Sequence, residues 1–293
     1  MQKDTDRRRF PGRVRCARRW SSAALALVVL TATAGTPAAE VPSGFDGSAY
    51  QKLRRVRVLE GEDHGPAYAT NRSLLDTCNR MRAAFYEAPP QGIDDAVLRS
   101  LDEQVVEKYY RDGRAVTFIT GRGLKLVDFE RWTAEQRSAG GKPAVPPDCG
   151  RYRLDATRAG TLWRDGIRYQ LDFARRRAAG LAAPQDFVAR PLLAPGEFDR
   201  QPKAEVKFRS CRRVTAPGRE FLDGRSCIWS DYPFVAWLNW PWALEAESRF
   251  GMSQKMVQTD TLIDIERNGV LPPGVFDLPA GFSVTPTPAE RSR

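Results

Sequence analysis

The sequence predicts an α+β protein, mainly antiparallel β, built as a curved sheet or half-barrel with one or two N-terminal helices packed on it. Three observations predict this class. Apolar residues recur at helical spacing only between about residues 71 and 101. Beyond them, strand-like runs flank three Asp-Gly steps, Asp112-Gly113, Asp165-Gly166 and Asp223-Gly224. Asp-Gly readily supplies the positive φ angles of a tight hairpin turn. Four cysteines, Cys78, Cys149, Cys211 and Cys227, form an even set suited to an oxidising compartment.

The chain opens with Arg7, Arg8, Arg9, Arg13, Arg15, Arg18 and Arg19 ahead of an apolar run, Ala23 to Ala34, and a small-residue exit, Thr36-Pro37-Ala38-Ala39. That order describes a secretory signal peptide over residues 1–39, cleaved near Ala38 or Ala39. The apolar run is 12 residues long, against about 20 for a bilayer span. The expected location is the periplasm. The alternative is anchorage to the inner membrane by an uncleaved N-terminal helix. No cysteine follows the run in a lipobox position, and Cys16 leaves with the leader.

The leader also accounts for most of the charge. The chain holds 46 Lys and Arg against 36 Asp and Glu; residues 1–39 take eight of the bases and two of the acids, leaving a net of +4 elsewhere. Nucleic acid is therefore not an expected partner. The remaining basic cluster, Arg175-Arg176-Arg177, reads as a solvated strand end.

Residues 40–65 are polar and turn-rich and read as an exposed lead-in. Residues 66–180 follow as a helix-plus-hairpin half. A helix over 71–86 puts Leu74, Cys78, Met81 and Phe85 on one face, capped by Asn71 or Ser73 and closed by Pro89-Pro90. A second helix over 94–101 turns Val97, Leu98 and Leu101 inward. Hairpins then form at the first two Asp-Gly steps, with Tyr169, Leu171 and Phe173 alternating against Arg168, Gln170 and Asp172. Residues 139–149 and the Pro-rich connector 181–204 interrupt regular structure. A C-terminal β half, 205–284, takes the third Asp-Gly step and an alternating run, Thr261, Ile263 and Ile265, before a disordered tail, 285–293. Of the three pairings that four cysteines allow, the favoured one joins Cys211 to Cys227 across a hairpin and leaves Cys78 with Cys149.

The C-terminal phrases GREFLDGRSCIW (Gly218 to Trp229), LEAES (Leu244 to Ser248), TDTLIDIERN (Thr259 to Asn268) and VFDLPAGF (Val275 to Phe282) resemble a family of uncharacterised secreted bacterial proteins with a LolA/LppX-like half-barrel. The resemblance covers roughly the last quarter of the chain. It implies a curved antiparallel sheet able to sequester acyl chains, with Phe276, Pro279 and Phe282 closing the sheet edge onto the core. It carries no activity with it.

The chemistry excludes much. His64, in a Gly- and Pro-flanked stretch, is the chain's single histidine, so a multi-histidine zinc site is impossible and a catalytic triad has one candidate base. No metal and no cofactor is expected. No phosphate-binding glycine motif is present; Gly121-Arg122-Gly123 reads as a turn. Glu245 and Glu247 share one strand face, an ordinary wet spacing. The strongest functional lead is the aromatic stretch 232–242, where Phe234, Trp237, Trp240 and Trp242 are the candidate ligand-binding residues. So much apolar area is costly to leave in water, at about 25 cal/mol per Å². The expected function is a non-enzymatic envelope protein that binds a lipid or other apolar ligand, or an envelope protein partner. A carboxylate-based hydrolase with a cleft between the halves, and a membrane-tethered structural component, are the alternatives.

Overall fold

Two of the three Asp-Gly steps are hairpin turns in the computed structural model. Asp112 and Gly113 have φ of 48° and 75°, and Asp165 and Gly166 have 54° and 73°. They join β2 (Glu103–Arg111) to β3 (Arg114–Leu126) and β4 (Tyr152–Arg164) to β5 (Ile167–Asp172). The structure describes residues 47–141, 143–182, 190–191, 196–219, 222–230, 234–235, 242–250 and 255–285; residues 1–39 and 286–293 therefore lie outside it, and Thr285, the first residue of the expected tail, belongs to a strand. The described residues all belong to one compact unit, Pro42–Arg293.

A strand that the polar lead-in concealed, β1 (Ser48–Leu59), lies in the middle of the sheet between β2 and β13 (Met256–Arg267). Residues 48–59 are thus not an exposed lead-in. Four basic side chains within twelve residues hid the strand, and the fold accommodates one of them by burying Arg55 against an acid. The remaining strands are β6 (Arg177–Ala182), β7 (Arg190–Pro191), β8 (Lys203–Val206), β9 (Arg209–Arg219), β10 (Leu222–Trp229), β11 (Phe234–Val235), β12 (Ala243–Phe250) and β14 (Ser283–Thr285). Twelve strands form one open, curved sheet in the order β14-β6-β5-β4-β3-β2-β1-β13-β12-β10-β9-β8, antiparallel except where β14 meets β6. Strands from both sides of the Pro-rich connector share this sheet. β7 and β11 make a separate two-stranded pair.

Helix α1 (Pro66–Tyr86) starts five residues earlier than the periodicity suggests, so neither Asn71 nor Ser73 caps it. The cap comes from a distant carboxylate: Asp102 accepts from the backbone N–H groups of Gly65, Ala67 and Tyr68 at 2.8–3.0 Å. Leu75, Cys78 and Arg82 are its buried residues, while Phe85 is exposed. The Arg82 guanidinium donates to the carbonyls of Pro89 and Pro147, which is how a charge sits on the buried stripe. The second helix is shorter than expected, α2 (Asp95–Arg99) followed by a 3₁₀ turn, yet Leu98 and Leu101 do turn inward. Helix α3 (Val127–Ala139), which the sequence reading missed, adds Phe129 and Trp132 to the same cluster. α4 (Glu197–Arg200) is a single turn.

Three further expectations are corrected. Asp223-Gly224 lies inside β10, where Gly224 pairs with Ser248; a Cβ there would stand 2.8 Å from the Glu247 carbonyl oxygen, so the glycine serves close backbone approach rather than a turn. Gly121-Arg122-Gly123 lies inside β3. On β13, Thr261 and Ile263 face out while Asp260, Leu262 and Ile265 are buried. The pairing with β1 shifts between Lys52 and Leu53, and such an irregularity moves every side chain beyond it to the other face.

Both expected disulfides are present. Cys78–Cys149 ties α1 to the segment before β4, and Cys211–Cys227 staples β9 to β10. The closing phrase packs on the outer sheet face, where Phe276 is buried beside Val116, Phe118 and Leu162, and the Phe282 ring meets Phe173 at 5.2 Å. Arg175, Arg176 and Arg177 are exposed at the start of β6.

Candidate ligand site on the inner sheet face

Along β1, Ala49, Gln51, Leu53 and Arg55 are at most 1% exposed, while Tyr50, Lys52 and Arg54 between them reach solvent. The alternation defines an inner face. Its apolar cluster runs from Trp163 on β4 through Tyr110, Val106, Leu53, Leu262 and Leu244 to the Cys211–Cys227 disulfide and Val206 on β8. The cluster spans nine consecutive strands of the sheet order.

A polar belt crosses this apolar face. Arg55 and Asp260 are register partners on β1 and β13, joined by Nε–Oδ1 at 2.7 Å and Nη2–Oδ2 at 2.8 Å. Both carboxylate oxygens are thereby held by the guanidinium, which suits a structural clamp better than a proton-transferring acid. Next along β1, Arg57 Nε donates to Gln258 Oε1 at 3.1 Å, and Gln258 Nε2 reaches Asp260 Oδ2 at 3.4 Å. Burial, then the neighbouring Arg55 charge, lower the Arg57 pKa, with Asp260 and Asp102 opposing.

On the other side of the clamp, Gln51 and Lys108 are register partners on β1 and β2. Gln51 Nε2 donates to the Ala243 carbonyl at 2.7 Å. Its Oε1 is buried and has no hydrogen-bond partner among the described residues. Burial pushes the Lys108 ammonium down to about 8, with Asp260 raising it and Arg55 lowering it further. The face therefore combines an apolar cluster, a cation whose charged form burial disfavours and an unused acceptor.

Of the aromatic stretch, Trp242 is buried in the inner cluster with Trp229 and Trp163. The Trp229 backbone N–H donates to the Trp242 carbonyl at 3.0 Å, which ties the end of β10 to the residue before β12 on this face. Phe234 contributes backbone to β11; Trp237 and Trp240 lie outside the described residues. None of the belt residues was foreseen. Arg55 and Asp260 are ordinary charged residues until a register puts them opposite each other, and the one local hint of a strand is Val56-Arg57-Val58-Leu59.

His64 belongs elsewhere, at the turn between β1 and α1. Its Nδ1 lies 3.3 Å from Asp63 Oδ1 and its ring 4.6 Å from Tyr68. Arg99 bridges Asp63 and Asp95 and stands over the Tyr68 ring. Hydrogen bonds from His64 and Arg99 hold Asp63 below the usual carboxylate range; those from Tyr68 and Arg99 do the same for Asp95. This surface network fastens the turn to α2. Among the described residues, no group of three or more His, Cys, Asp or Glu is placed to hold a metal ion.

Fold and site together define an α+β protein with an open, curved, mostly antiparallel sheet and a polar belt on its inner face. No protein-family model matches the chain, and no curated protein matches it. Among solved structures it is similar to an uncharacterised conserved protein from Thermus thermophilus, at 8% identity and a TM-score of 0.36, over 84% of this chain and 93% of that one. It is also similar to a LolA superfamily protein from Nitrosomonas europaea, at 9% identity and a TM-score of 0.28, over 80% of this chain and 91% of that one. The likeness runs over most of the chain rather than its last quarter. At these scores it adds nothing to what the geometry says.

Proposed function

We propose that this chain is an exported, non-enzymatic protein of the bacterial envelope whose inner sheet face binds an amphipathic ligand. In this reading the inner face opens to admit the ligand, since Leu53, Val106, Leu244 and Leu262 are at most 3% exposed as the fold stands; the apolar part then packs on these four and the polar head meets Gln51 and Lys108. The observation that carries it is Gln51 Oε1, a buried acceptor without a donor among the described residues. An unsatisfied buried polar group costs about 1–3 kcal/mol, and such groups in native folds call for an explanation. A ligand hydroxyl or amide would supply the donor, and an anionic head would pair with the Lys108 ammonium and raise its lowered pKa. Trp242 is one root of the aromatic stretch, and Phe234, Trp237 and Trp240 are proposed to line the mouth of the site. The basic-apolar leader and the two disulfides support export to the periplasm with removal of residues 1–39.

The test is a titration with a fluorescent acyl probe, read by tryptophan emission. The expected result is a saturable shift in the wild type and an affinity about tenfold lower in Gln51→Leu, the loss of one buried hydrogen bond. Unchanged emission at saturating probe removes the reading, as does a folded Gln51→Leu variant that binds like the wild type. Mass spectrometry of the chain isolated from cells reports leader removal and any co-purifying lipid.

A further inference from the structure

The hairpin that ends the sheet carries a feature unrelated to the inner face. Its strands, β8 and β9, are joined by Lys207 and Phe208, both with positive φ, 48° and 61°. A two-residue turn of this kind favours Asn-Gly. A bulky aromatic residue in the left-handed region is a genuine outlier. Phe208 is also 96% exposed, two residues after the buried Val206, on a hairpin whose strand β9 is stapled to β10 by the Cys211–Cys227 disulfide. The fold thus holds a phenylalanine in an unfavourable backbone conformation and leaves its ring in water.

The surroundings of the ring are cationic. Residues 203–213 carry Lys203, Lys207, Arg209, Arg212 and Arg213 against Glu205 alone. Lys203, Lys207, Arg209 and Arg213 are exposed; Arg212 is half-buried, with its guanidinium on the Gln201 carbonyl and near Asp199. β8 is the last strand in the sheet order, and charged side chains on an edge strand discourage edge-to-edge pairing. That accounts for the lysines and arginines along the strands, but not for an aromatic ring at the turn.

We propose that the tip of this hairpin docks on an anionic phospholipid surface, with Phe208 entering the interface and Lys207 and Arg209, its two neighbours, lying among the headgroups. A lone exposed ring flanked in sequence by Lys207 and Arg209 matches that partner in chemistry and charge. A bilayer interface accepts a single apolar side chain without a fitted pocket, and its anionic headgroups attract basic residues within a Debye length. A protein partner would need a contiguous patch of about 1,000 Å² or more, which a hairpin tip bearing one apolar residue does not present. The proposal is independent of the inner-face ligand and stands or falls apart from it.

The experiment follows hydrogen exchange of residues 203–213 as vesicles are added, in the full chain and in the chain from residue 40 onward, so that tethering by the leader is separated from docking of the hairpin. Phosphatidylglycerol–phosphatidylcholine vesicles are expected to protect these amides at low salt and much less at high salt, and phosphatidylcholine vesicles to leave them unchanged. Phe208→Ser and the double variant Lys207→Glu/Arg209→Glu should each need at least about tenfold more anionic lipid for the same protection. Phe208→Ser should unfold at the wild-type temperature, because the ring touches no core. The proposal is overturned if anionic vesicles leave the hairpin unprotected, as a protein partner would predict, or if Phe208→Ser is protected like the wild type.

Discussion

Replacing Asp260 by Leu strips the buried Arg55 guanidinium of its bidentate carboxylate. The Arg55 side chain is 1% exposed and the Asp260 side chain 9%, so water cannot replace the lost oxygens. At an effective dielectric constant of about 20, opposite unit charges some 4 Å apart attract by roughly 4 kcal/mol. Breaking one side of a buried pair costs about 3–5 kcal/mol. For a chain of this size, roughly 2–4 °C per kcal/mol turns that into a fall in Tm of about 6–20 °C. A built-in control sits one residue away: Arg54 reaches Glu103 at 2.7 Å from the opposite face, with both side chains about half exposed. Arg54→Met should therefore cost less than about 1 kcal/mol. The assay is urea or thermal unfolding with disulfides intact, on Asp260→Leu, Arg55→Met, the double variant and Arg54→Met. Apolar replacement of both members of a buried pair is often neutral or stabilising, so the double variant should recover most of the loss. If Asp260→Leu costs no more than Arg54→Met, the pair is not the buried clamp that the geometry describes, and the reasoning fails.

Three further outcomes follow from the fold. Asp102→Ala leaves three backbone N–H groups at the start of α1 without their acceptor and should cost about 2 kcal/mol in unfolding experiments; Gly65→Ala should also destabilise, because its Cβ would collide with the Arg57 carbonyl and the Asp102 carboxylate. Lys108 has a folded pKa of about 8, below its unfolded value of roughly 10.4, so the unfolded chain keeps the proton to higher pH. Its contribution then disfavours the fold most below pH 8 and relaxes as pH rises toward 10.4; the stability advantage of Lys108→Met over the wild type should shrink across that window, and an advantage that is flat with pH would contradict it.

The local chemistry of the chain settled much of its framework. Asp112-Gly113 and Asp165-Gly166 became turns because the φ angles they permit are a property of the residues themselves. Leu98 and Leu101 went inward because residues three apart share one side of a helical turn, and Cys211 met Cys227 across neighbouring strands. Where a residue's role depends on what lies opposite it, the sequence was silent or misleading. β1 read as a solvated lead-in because nothing local tells which of Arg54 and Arg55 faces water; a partner acid some two hundred residues away decides it. Thr261, Ile263 and Ile265 read as one face until an irregularity opposite Lys52 and Leu53 turned Leu262 inward in place of Ile263. Asp223-Gly224 was drawn into β10, where the close approach of the Glu247 carbonyl made use of the glycine. Propensity and period belong to the chain and are legible in it. Register and burial belong to pairs of strands far apart in sequence, and they fix whether a charge is a wet surface group or a clamp buried within an apolar sheet face.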